Sequence, residues 1–87
     1  MEAAVAKDFT VDEAVLSEEG IVLYSEWYST KTNKRLVVVN RYTNTSTWRV
    51  EFIHFLVLGS EIASKRIVTA AEFLEYVQTK RFIKGGK

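Results

Sequence analysis

A chain of 87 residues, 47% apolar and 26% charged, describes one small globular domain, 1–87, and excludes a disordered chain or a second core. It has no cysteine, which removes disulfide frameworks and thiolate metal sites. The net charge of +1 is unevenly spread: residues 1–30 hold seven acids and one lysine, residues 31–87 eleven bases and four acids. That asymmetry suits a nucleic-acid surface, mutually shielding patches, or two copies packed head to tail.

No unbroken apolar run exceeds four residues, as in Phe55 to Leu58, far short of the roughly 20 that a membrane helix needs. The N-terminus shows no basic region ahead of an apolar stretch, so it does not read as a signal peptide. The expected location is cytoplasmic, with no membrane partner. Residues 1–8 and 84–87 are expected to be flexible ends.

In chain order, "FTVDEAVLSEEG" predicts a short helix. Thr10 is the expected cap with Glu13 completing a capping box, and Gly20 supplies the left-handed residue after the helix. A strand from Phe9 to Leu16 is the competing reading. "IVLYSEWYST" is rich in β-branched and aromatic residues and predicts a strand with Ile21, Leu23 and Trp27 on one face. "RLVVVNRY" predicts the next, with Leu36, Val38 and Tyr42 on one face and Val37 and Val39 on the other. The polar turn "TNTST" leads into a third strand, Thr47 to Leu58. Short polar connections imply an antiparallel meander, because parallel pairing needs a long crossover. A fourth short strand is possible near Lys65 to Val68.

"VTAAEFLEYVQTKR" is the clearest helix. Thr69 caps it, Glu72 closes a capping box, and Ala70, Phe73, Leu74 and Val77 form one apolar stripe. Lys80 and Arg81 are placed in its last turn, and "KGGK" is expected as a frayed tail. The fold class is therefore α+β: a three- to four-stranded antiparallel meander, a C-terminal helix packed on one face, and a short N-terminal helix.

The third strand changes character along its length. Trp48, Val50, Phe52, His54, Leu56 and Leu58 form one face, expected to be the core that receives the C-terminal helix. Arg49, Glu51, Ile53, Phe55 and Val57 form the other, wet at one end and apolar beyond Ile53. An uncovered apolar patch of this kind marks an interface. Val37, Val39, Ile53, Phe55 and Val57 are accordingly the expected partner-binding residues, for a protein partner or a second copy.

Catalysis needs a nucleophile with a base, paired carboxylates across a cleft, or a metal cluster. His54 is the only histidine and lies between Phe52 and Leu56 as a structural residue. Asp12–Glu13 and Glu18–Glu19 read as a solvated helix face, and no calcium-loop or HExxH pattern occurs. No enzyme activity, cofactor or metal is expected. Aromatics interleave with bases at Tyr28, Lys31, Lys34, Arg35, Arg41, Tyr42 and Arg49, a combination that stacks and clamps nucleic acid or an acidic partner. The leading expectation is a non-catalytic protein-interaction module, a small regulator or inhibitor that occupies a partner surface, as a homodimer or otherwise. Nucleic-acid binding through those seven residues is the alternative.

The helix–three-strand–helix order resembles, in topology alone, the double-stranded-RNA-binding domain. Where that family carries a Ser-Lys-Lys-x-Ala-Lys run and paired alanines, "SKRIVTAA" offers Ser64, Lys65, Arg66 and Ala70-Ala71. Val68 and Thr69 replace the Ala-Lys, so no diagnostic motif is present.

Overall fold

The computed structural model describes residues 9–59 and 61–85. Its elements are β1 (Val11–Asp12), α1 (Glu13–Glu18), β2 (Glu26–Ser29), β3 (Lys34–Asn44), β4 (Arg49–Leu58), β5 (Ala63–Thr69), α2 (Ala70–Gln78) and β6 (Phe82–Lys84). All strand pairs are antiparallel, in the order β1-β4-β3-β2-β6, with β5 also paired to β4. β1 meets β4 at Val50 and Arg49, and β5 meets it from Phe52 to Leu58, so the two short strands lie end to end along one edge.

The α+β class holds, but the sheet has six strands rather than three or four. The added ones are short. Val11–Asp12 and Phe82–Lys84 carry too few residues to show alternation, and only their long-range partners make them strands. Lys84, expected in a flexible tail, pairs with Trp27 in β6. Residues 1–8 and 86–87 of the expected ends lie outside the described residues.

Local chemistry sets the helix boundaries. Asp12, not Thr10, caps α1, its carboxylate accepting from the Ala14 amide at 2.9 Å. The strand pairing of Val11 and Asp12 delays the helix, and Thr10 instead accepts from Arg49 Nε at 2.7 Å. At the other end the Gly20 and Ile21 amides bond the carbonyls of Ser17 and Leu16, with Gly20 at φ 81°. This is the Schellman arrangement, and its characteristic apolar pair, Leu16 and Ile21, is fully buried.

α2 begins with the capping box expected of Thr69 and Glu72. It ends at Gln78, before Lys80 and Arg81, which therefore lie beyond the last turn. The Lys80 and Arg81 amides close a second Schellman motif on Val77 and Tyr76, with Lys80 at φ 67° where glycine is usual.

Two bulges decide which side chains reach the core. Val39 is an extra residue in β3 between the pairs Val38–Phe55 and Asn40–His54. Glu51 is an extra residue in β4 between Tyr42–Phe52 and Thr43–Val50. Each insertion reverses the side-chain alternation beyond it. The core face is thus Leu36, Val38, Arg41 and Thr43 from β3 with Val57, Phe55, Ile53 and Val50 from β4. Phe73 of α2 lands there, edge-on to Phe55 at 5.5 Å and to Trp27 at 5.9 Å, and Phe82 adds contacts to both phenylalanines. Such perpendicular aromatic contacts add to the burial of large apolar side chains.

The expectation that Phe52, His54 and Leu56 receive the helix is therefore overturned. Ile53 and Phe55, expected at an interface, are buried in this chain's own core, and Val57 packs against it. Trp48, expected on the core face, is exposed in the β3–β4 turn at φ 58°.

Candidate functional site

Both helices lie on the core face. α2 contacts β4, β5 and β6. α1 is held by Arg41, whose guanidinium donates to the Ile21 carbonyl at 3.1 Å and meets Glu13 at 3.2 Å. Among the described residues no helix packs on the opposite, outer face of the sheet, where Tyr42, Phe52 and Ile67 are exposed.

Cross-strand partners place the outer face in rows. One row runs Glu26, Val37, Leu56, Lys65 from β2 to β5, and the next runs Tyr28, Arg35, Leu58, Ala63. Beyond them come Asn40, His54, Ile67 and then Tyr42, Phe52, Thr69. Tyr42, Phe52 and Ile67 are exposed, and Val37, Leu56 and Leu58 are half-buried. The surface is a strip of aromatic and aliphatic side chains with a carboxylate at one edge and an ammonium at the other.

His54 sits within it. Its ring stacks on Tyr42 at 6.2 Å between centroids, and Nδ1 lies 3.3 Å from the Tyr42 hydroxyl. Nε2 is buried and has no hydrogen-bond partner. The Tyr42 hydroxyl reaches Nδ1 alone.

Of the five expected partner-binding residues, Val37 alone has the outer-face position with Leu56 and Phe52. Val39 occupies the bulge, half-buried, while Ile53, Phe55 and Val57 face the helices. The seven expected nucleic-acid contacts divide between the two faces. Tyr28, Arg35 and Tyr42 are outward, but the Tyr28 hydroxyl donates to Asn33 at 2.8 Å and Arg35 pairs with Glu26 at 3.7 Å. Arg41 is committed to α1, and Arg49 holds Thr10 through Nε and Nη2. Lys31 and Lys34 lie apart, at the mouth of a cleft on the helix-bearing side.

Phe52, Leu56 and Ile67 are outer-face residues that were not among the expected contacts. The signal was present, because β4 is apolar on both sides beyond Ile53. The wrong side was assigned to the helix.

Among the described residues no cluster of His, Asp and Glu could hold a metal ion. Among the described residues no helix is long and apolar enough to cross a membrane. Compared with protein families, curated proteins and solved structures, the chain matches none.

Proposed function

We propose that this protein is a non-catalytic interaction module whose outer sheet face occupies a complementary protein surface, that of a second copy of the chain. The observation that carries the reading is the uncovered strip from Tyr42 and Phe52 through Leu56 to Val37. Apolar sheet faces normally pack against another layer, about 10 Å away, and a contiguous bare one marks an interface.

Charge placement favours the second copy. A two-fold axis parallel to the strands reverses each cross-strand row. Val37 then lies over Leu56 of the other copy, and Glu26 over its Lys65. Self-complementarity of this kind is what an isologous dimer requires. The Arg35–Glu26 pair is exposed and loosely held, so Glu26 can keep Arg35 of its own chain while it meets Lys65 of the other copy.

Sedimentation velocity across a micromolar concentration series tests the proposal. A dimer is expected, converted to a folded monomer by Leu56→Glu. Glu26→Lys weakens it, and Glu26→Lys combined with Lys65→Glu in one chain restores it. A wild type that stays monomeric throughout the series overturns self-docking. Oligonucleotide binding that weakens with salt, with a slope that Lys34→Ala flattens, would instead favour nucleic acid.

A further inference from the structure

On the helix-bearing side, α2 does not reach the whole sheet. Nine helical residues span about 13 Å, whereas the eleven residues of β3 run to about 35 Å. The shortfall falls at the end bounded by the β2–β3 turn and β5, where a cleft of about 360 Å³ opens.

Its floor is apolar: Phe55, Val57 and Val68 from the sheet, with Tyr76 and Phe82 as one wall. Its rim is cationic, formed by Lys31, Lys34, Arg66 and Arg81, and no acidic side chain lines it. None of these four cations makes an ion pair among the described residues. Arg66 is the informative one. It lies opposite Phe55 on the core-facing register of β5, a position that a closed core would give to an apolar residue. Arg81 is held beside the wall, its guanidinium 4.9 Å from the Tyr76 ring centre, and its carbonyl accepts from the Thr30 amide at 2.9 Å. Glu61 lies in an adjoining shallow recess that shares Lys34 and Val57, without pairing to Lys34.

We infer that this cleft binds a small amphipathic organic anion, one acidic head on an aliphatic or aromatic body. The volume falls within the range of small-molecule sites. The four cations are exposed at the rim, solvated while the cleft is empty and able to close on an anion that enters it, and guanidinium groups suit a carboxylate or phosphate head. The apolar floor supplies the affinity that the head alone lacks. The inference does not depend on self-association, because the cleft and the outer strip are on opposite sides of the sheet.

The test is titration of the full chain with decanoate, followed by amide chemical shifts. Decyltrimethylammonium serves as the same tail with the opposite charge, and acetate and inorganic phosphate as heads without a tail. Decanoate is expected to bind one to one, with shifts at Val57, Tyr76 and Phe82 rather than at Val37 and Phe52. The cationic analogue and the bare heads should bind at least about tenfold more weakly, on the scale of a lost charge-assisted hydrogen bond. Arg66→Glu, on an exposed side chain, should keep the thermal melt and lose decanoate by a similar factor or more. Equal binding of the two tails overturns the inference, as do shifts confined to the outer face or undiminished affinity in a folded Arg66→Glu variant. Binding of phosphate as tight as decanoate would also overturn it, since the apolar floor would then contribute nothing.

Discussion

Arg41 and Glu13 meet at 3.2 Å across 28 positions of sequence, and through them the sheet holds α1. The Arg41 side chain is 14% exposed and also satisfies the Ile21 carbonyl beyond the end of α1. Removing it leaves that carbonyl and Glu13 without their donor. Arg41→Ala should therefore cost about 1–3 kcal/mol in urea melts, the penalty for stranding partly buried polar groups. Amide exchange at Leu16 and Ile21 should quicken more than at Phe55. A loss near the roughly 0.5 kcal/mol of an ordinary surface change would show that α1 is held by packing alone.

Lys80 carries a positive φ at the close of α2, where glycine is usual. Its carbonyl accepts from the Thr30 hydroxyl, a contact that a glycine backbone keeps. Lys80→Gly should raise stability by about 1 kcal/mol, the cost of a Cβ in the left-handed region. Lys80→Ala should give no such gain. If both variants behave alike, side-chain charge rather than backbone strain governs the site.

Phe73 is fully buried at the meeting of Trp27, Phe55 and Phe82, whereas its neighbour Leu74 is only half-buried. Phe73→Ala should lose about 3–5 kcal/mol and Leu74→Ala clearly less, because cavity cost scales with the contacts removed. Equal losses in denaturant melts would mean that α2 is rotated about its axis from the position described.

The outer strip contains one buried nitrogen without a partner, His54 Nε2. A leucine there keeps the apolar surface and removes the unsatisfied atom. His54→Leu should stabilise the fold by about 1 kcal/mol after losing the long contact to Tyr42. It should leave self-association intact or strengthen it, as read in the same sedimentation series. Destabilisation would show that the histidine is satisfied in solution.

Much of this architecture is legible in local chemistry. Thr69 and Glu72 announce the start of α2, Gly20 marks the end of α1, and the polar turns around Asn33 and Ser46 space the meander. These features depend on contacts within a few residues, so their composition is enough to specify them.

The faces of the sheet could not be read in the same way. Alternation fixes a side chain's direction only relative to its neighbours, and the insertions at Val39 and Glu51 reverse it twice without any marker residue. Val50 thereby joins Ile53 and Phe55 in the core, Arg41 turns inward to α1, and Phe52 with Leu56 is left outside. The same holds for Val11–Asp12 and Phe82–Lys84, which are strands only because β4 and β2 offer them unpaired edges. Where α2 lands, and hence which apolar face stays bare, is a choice among distant segments competing for one surface. Pairing and packing across the whole chain made that choice.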